Sequence, residues 1–241
     1  MSTLAACGAA AVILLGAMVQ RVTGMGLALV AAPFIVLVLG PNLGVQTLQV
    51  VGITVCTINA WSLRGNVDWR RAAVLIACAA LGIIPGTWVA RVLPTAWLSV
   101  VIGVLVAAAL LLSRLVRRNP VFEDPHGRVV AGMVSGFMNV TAGVGGPPMV
   151  IYASTNRWAY AGYLATIQVY FLGISTLSLL GRGLPVLPWP VWALLAVSVI
   201  VGLSLGRLIA SRIDERTADR AIFAVALVGA VSTAVQGVLA L

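Results

Sequence analysis

Charge is what this sequence has least of. Only 9% of its 241 residues are charged and 61% are hydrophobic, against about 25% charged in an ordinary soluble domain. So few polar groups cannot cover a water-facing surface, so hydrocarbon must be much of the solvent. The expected class is an all-α polytopic membrane protein with no soluble domain. Lysine is absent: all 15 cations are arginine, and the formal net charge is +9. A basic balance can signal nucleic acid. Here the arginines sit between long apolar runs, where they act as topology signals and headgroup contacts. Membrane lipid is therefore an expected partner and nucleic acid is not.

Acids and histidine are equally scarce. Asp68, Glu123, Asp124, Asp214, Glu215 and Asp219 all lie in loops or at run edges, and His126, the only histidine, is in the one polar stretch. Proton relays in membranes use buried carboxylates or histidine, so side-chain proton coupling is disfavoured unless a water chain substitutes. The same scarcity argues against an enzyme, since there is no buried Ser–His pair, metal cluster or pair of acids. No catalytic residue, metal or cofactor is expected. Cys7, Cys56 and Cys78 fit no zinc or CxxC spacing and read as small buried hydrophobes. The N-terminus lacks a basic n-region and its apolar run outlasts a signal sequence, so it reads as part of the mature fold.

What is present is apolar length. Six runs suit spanning helices of roughly 17 to 25 residues: about 45–63, 72–92, 97–113, 163–180, 189–206 and 221–241. Trp69, Trp97, Trp158 and Trp189 fall at or near run ends, where aromatic belts form. Two further apolar regions are interrupted, 5–39 at Thr23-Gly24-Met25-Gly26 and 129–153 by a glycine- and proline-rich stretch at 142–148. Glycine weakens a helix, and interior proline costs it a hydrogen bond. Both regions read as broken helices.

The polar stretch 114–128 divides the chain into halves that match. Gly24 and Gly26 recur 119 positions later as Gly143 and Gly145, Gln20 meets Asn139, and Gln49 meets Gln168. Arg64-Gly65 recurs as Arg182-Gly183, and Trp69, Gly82 and Gly86 recur as Trp189, Gly202 and Gly206 after one loop indel. The expected organisation is repeat 1 at 1–116, a linker at 117–127 and repeat 2 at 128–241. Each repeat is one broken segment (breaks at 23–26 and 142–148) followed by three spans. The Gly82/Gly86 and Gly202/Gly206 pairs have the small-xxx-small spacing of close helix packing.

Arginine sets the orientation. If each broken segment crosses the membrane, the loop arginines divide almost evenly. If each dips in and returns, Arg64, Arg70, Arg71, Arg114, Arg117, Arg118, Arg128, Arg157, Arg207, Arg212, Arg216 and Arg220 share one side, and only Arg91 and Arg182 face the other. Cytoplasmic loops carry the excess, so the re-entrant arrangement fits. Three true spans per half then invert the halves, with the termini outside and linker 117–127 cytoplasmic, in a multi-pass protein of the cell (inner or plasma) membrane.

In an inverted repeat the two re-entrant tips enter from opposite faces and can meet near the midplane. Matching broken helices point to a transport site. A short helix restarts after each break, near Leu27 and near Pro147, and free N–H groups at helix N-termini favour an anion. Gly24, Gly26, Gly143, Gly145 and Gly146 let backbone approach a ligand. Gln20, Thr23, Asn139 and Thr141 precede the breaks, and Gln49 and Gln168 sit on the next spans. Amides and hydroxyls can donate to oxyanions, or they can hydrogen-bond between helices. Recurrence favours site lining for the four amides, while Gln46, Thr166 and Tyr170 read as interhelical partners. Arg21, an intramembrane charge, either contacts the anion or pins free carbonyls at the break. Its counterpart is Val140.

These features, Gly24-Met25-Gly26 and Gly143-Val144-Gly145-Gly146-Pro147 with the polar span after each and the charged linker, make the sequence similar to the sulfite exporter TauE/SafE family over essentially the whole chain. The first copy departs from the family, since Leu27 and Ala28 follow Gly26 and Arg21 lies beside it. The resemblance implies transport, such as export, of a sulfur-containing anion (sulfite, a sulfonate or thiosulfate) and gives Cys56 or Cys78 a conceivable sulfur contact. The residues alone reach only a small anion. Rival readings are a membrane enzyme or assembly factor handling a thiol or lipid, which would need a cysteine nucleophile, and a cation channel, which helix N-termini disfavour. A homodimer is compatible with so small a bundle.

Overall fold

The computed structural model describes residues 3–23, 26–115, 120–210 and 215–241, with side chains for 4–20, 27–112, 120–208 and 223–241. The ten described α-helices are α1 Thr3–Thr23, α2 Gly26–Leu39, α3 Pro41–Leu63, α4 Trp69–Val92, α5 Thr95–Leu115, α6 His126–Ala142, α7 Gly146–Thr155, α8 Tyr160–Arg182, α9 Trp189–Ala210 and α10 Glu215–Leu239. No strand occurs among the described residues. By length and composition α3, α4, α5, α8 and α9 can each cross a membrane, and the described apolar parts of α1, α2 and α10 are shorter. Five expected spans lie within α3, α4, α5, α8 and α9, and the sixth, 221–241, runs two residues past the end of α10.

Large apolar side chains face outward along these helices: Ile84 is 70% and Trp88 66% exposed on α4, and Ile200 is 63% exposed on α9. A soluble monomer rarely exposes such stripes, but hydrocarbon accepts them. The exposed Trp69 and Trp189 open α4 and α9. Polar groups turn inward instead, and Gln20, Gln49, Asn139, Thr166 and Gln168 are all buried.

The two interrupted regions fold back on themselves. Gly16 of α1 faces Leu27 and Ala31 of α2, and Gly8 faces Val38, so α1 and α2 form an antiparallel hairpin. At the second break α6 ends at Gly143, whose φ of +75° is the left-handed C-cap that glycine adopts without a Cβ clash. The hairpin base is tied where Asn156 Nδ2 donates to the Phe122 carbonyl at 2.8 Å, while near the tip Ser135 Oγ donates to the Gly145 carbonyl at 2.6 Å.

Helices of one half pack on the broken segment of the other: α4 lies along α6, and α9 along α1. Glycines allow the approach. A Cβ on Gly82 would stand 1.9 Å from the Met133 carbonyl oxygen, and one on Gly136 would stand 2.2 Å from that of Ala79. Gly202 packs the same way on Leu14, with a Cβ 2.5 Å from its carbonyl oxygen. Leu14 and Met133 are themselves 119 positions apart, the offset that separates Gly24 from Gly143. Exchanging the halves also maps the α3–α8 and α5–α10 contacts onto themselves.

Candidate functional site

A cavity of about 50 Å³ lies between the two breaks. Gln20, Leu27, Ala28 and Leu29 line it from the first hairpin, and Asn139 with Gly143 to Gly146 from the second. Leu48, Gln49, Gly52 and Cys56 of α3 and Phe171 and Ser175 of α8 close it. One water needs roughly 10–15 Å³ on this measure, so the space suits a small ion or a few waters.

The two tips present different chemistry. At the first, the Leu27 N–H at the start of α2 donates to Gln20 Oε1 at 3.0 Å, so a side chain covers that N-terminus. At the second, no side chain caps α7. Pro147 and Pro148 have no N–H, which leaves the donors of Val144, Gly145 and Gly146. All three residues are buried, and among the described residues their N–H groups make no hydrogen bond. Buried backbone donors are almost always paired. Three in succession stand at a helix N-terminus on the wall of a cavity, an arrangement whose polarity favours negative charge.

Asn139 is engaged on α3 and α8 through its amide nitrogen. Its Nδ2 donates to Gln49 Oε1 at 3.2 Å and to Ser178 Oγ at 3.1 Å, and Gln49 Nε2 donates to the Asn139 carbonyl at 2.7 Å. These bonds fasten α6 to α3 and α8. Thus Gln20, Gln49 and Asn139 do line the cavity, while Asn139 spends both amide hydrogens within the protein.

The other expected site residues fall as follows. Gly143, Gly145 and Gly146 line the cavity, whereas Gln168 and Thr141 are outside its lining. Thr141 Oγ1 donates to the Phe137 carbonyl one turn back at 2.7 Å. Gly24 lies outside the described residues, as do the side chains of Arg21 and Thr23. Arg21 and Thr23 are in the last turn of α1 and Gly26 opens α2. Gln46 and Thr166 make interhelical hydrogen bonds, Gln46 to the Arg182 carbonyl at 2.9 Å and Thr166 from the Asp68 N–H at 2.9 Å. Tyr170 stacks edge-on against Phe171 at 5.4 Å.

Several residues of the site were missed in the sequence. Arg182 donates to the Val140 carbonyl at 2.8 Å and to Asn42 Oδ1 at 2.8 Å, with longer contacts at 3.5 Å to the carbonyls of Thr141 and Pro41. Carbonyls at a helix C-terminus have no partner within the helix, and Arg182 supplies one here. The pin that was one of two readings for Arg21 is, at the second break, Arg182. Two signals pointed to it: Arg182-Gly183 recurs from Arg64-Gly65, and it is one of two arginines on the arginine-poor side. Cys56, read as a packing residue, is a buried free thiol on the cavity wall. Cys78 instead packs against Gly132. Ser135, Ser175 and Ser178 carried no sequence signal beyond being small polar residues in apolar runs. No group of three or more His, Cys, Asp or Glu that could hold a metal occurs among the described residues.

Residues 9–233 match the family described as sulfite exporter TauE/SafE. No curated protein and no solved structure gives a match.

Proposed function

The chain belongs to the sulfite exporter TauE/SafE family, a family of membrane transporters, and from that premise we propose that it moves a small sulfur oxyanion or sulfonate through the cavity between its two hairpin tips. The observation that carries this reading is the run of unpartnered, buried N–H groups at Val144, Gly145 and Gly146 on the cavity wall. An anion's oxygens satisfy those donors and gain from the α7 dipole, worth roughly 0.3–1 kcal/mol and up to about 2 in a partly buried setting. A cation meets the opposite sign. Each hairpin enters from one face and returns to it, with the arginine-rich ends and linker 117–127 cytoplasmic and the termini outside. The halves are then related by inversion, and alternating access follows from rocking the α4–α6 and α9–α1 packing units against each other.

The test is flux in proteoliposomes, measured for sulfite and thiosulfate with sulfate and chloride as competitors. Saturable flux that is lost in Gly146→Leu is expected. A Cβ at Gly146 meets only Phe171 Cζ, at 4.0 Å, so the new side chain starts from open space on the cavity wall. Arg21→Ala tests the intramembrane charge in the same assay. Absence of flux for every anion from folded protein refutes the reading. A cysteine-accessibility map that places linker 117–127 outside refutes the orientation.

A further inference from the structure

A second cavity, of about 380 Å³, opens at the base of the second hairpin. Asp68, Arg70 and Arg71 at the start of α4 line it, with Asp124 and Arg128 around the start of α6 and Tyr152 of α7. Three guanidinium groups thus face two carboxylates, and both carboxylates are already engaged. Asp124 Oδ1 accepts from Arg128 Nε at 3.1 Å and from the Tyr152 hydroxyl at 3.1 Å. Asp68 Oδ1 caps α4 by accepting the Arg71 backbone N–H at 2.9 Å, and its other oxygen is 4.0 Å from Arg71 Nε, the outer edge of an ion pair. The Arg71 guanidinium lies over the Trp158 ring at 4.4 Å instead. Arg70 has no carboxylate, ring or hydrogen-bond partner among the described residues.

The geometry points to this cavity as an oxyanion-binding vestibule, in which Arg70 and Arg71 hold a small sulfur oxyanion or a lipid phosphate group at the arginine-rich mouth of the protein. Arg70, a planar guanidinium fork with no carboxylate partner among the described residues, beside Arg71, held to Asp68 only at 4.0 Å, is the chemistry that grips tetrahedral and pyramidal oxyanions. A basic pocket also concentrates anions from solution, an effect that weakens as salt shortens the Debye length. The space takes an oxyanion with part of its water shell, whereas the cavity at the breaks takes only a small ion with a few waters. The vestibule therefore collects, and the breaks select. This rests on the transport reading in one respect, that the free anion gathered here is the one the breaks admit.

Trp158 is the reporter, because an anion drawing on Arg71 alters the charge above its ring. The experiment titrates sodium thiosulfate and sodium sulfate into purified full-length protein and follows tryptophan emission, with Trp158→Phe isolating the signal. It is run in delipidated detergent, in phosphatidylcholine nanodiscs and in nanodiscs containing phosphatidylglycerol. A saturable change is expected that weakens with ionic strength, is unaltered in Gly146→Leu, and shifts roughly tenfold or more to weaker affinity in Arg70→Gln. If the change is the same in all three settings, the occupant is the free anion. If it vanishes only with phosphatidylglycerol, the site stands and lipid phosphate fills it. No saturable Trp158 signal in folded protein, or a signal that Arg70→Gln leaves unchanged, overturns the vestibule. Flux measured on the same preparations separates the two readings. Binding without flux leaves the vestibule and removes the transport path, and flux without binding does the reverse.

Discussion

Gly52 allows the cavity to be filled without damage to the fold. It sits in the middle of α3 and lines the cavity, and a Cβ there would meet only Ser175 Oγ, at 3.9 Å. Glycine inside a helix costs about 0.5–1 kcal/mol relative to alanine. Gly52→Ala is therefore expected to stabilise the protein by about that amount. For a chain of this size the melting temperature then rises by roughly 2–4 °C per kcal/mol. The added methyl enters a space of about 50 Å³, so flux should fall in the same variant, and Gly52→Leu should abolish it with the fold intact. Stability and transport move in opposite directions, which general damage cannot mimic. The assay pairs thermal unfolding in detergent with sulfite flux in proteoliposomes. A stable Gly52→Leu variant with unchanged flux would refute the claim that the anion passes between the tips.

Other substitutions probe the packing and the tips. Gly82→Ala places a Cβ 1.9 Å from the Met133 carbonyl oxygen, so the α4–α6 pair must part; overpacking of this kind costs about 1–3 kcal/mol, readable as a lower melting temperature. Arg182→Gln leaves buried carbonyls at the end of α6 without their charged donor, a loss of about 1.5–3 kcal/mol, and Arg182→Lys should restore only part of it, since a single ammonium cannot span Val140 and Asn42 as the fork does. Asn139→Ala and Gln49→Ala should each destabilise, and a double-mutant cycle should give a coupling of about 0.5–3 kcal/mol; a coupling near zero would mean the amide pair does not fasten α6 to α3. In a variant whose other cysteines are removed, Cys56 should react with a small thiol reagent and be protected by sulfate, measured as labelling rate. A fully cysteine-free protein with normal flux would dispose of a thiol enzyme.

Much of the architecture was legible because a bilayer permits few solutions. Apolar runs of spanning length must be helices, since hydrocarbon offers no partner to free N–H and C=O groups. Five of the expected spans accordingly lie in helices, and the sixth runs two residues past the end of α10. The breaks were legible for the same reason, as Gly143 and the Pro147-Pro148 pair cannot continue α6. The glycines at 82, 86 and 202 announced close packing by spacing alone. Their partners were not readable, and the structure sets each of them on the broken segment of the opposite half. Periodicity reports which face is small, but not which helix meets it.

By itself the sequence determined the class, the helices and the two breaks, all consequences of local backbone chemistry and of a solvent without hydrogen bonds. Only the tertiary structure decided how the amides are spent. Two matching residues, Gln20 and Asn139, take different tasks: Gln20 caps a helix start, and Asn139 turns to Gln49 and Ser178, which lie far from it along the chain. Val144, Gly145 and Gly146 keep N–H groups without a hydrogen bond among the described residues. Likewise Arg182 serves the break from the far end of α8. Hydrogen bonds between distant segments depend on which groups folding brings within about 3 Å, and a linear pattern holds no record of that distance.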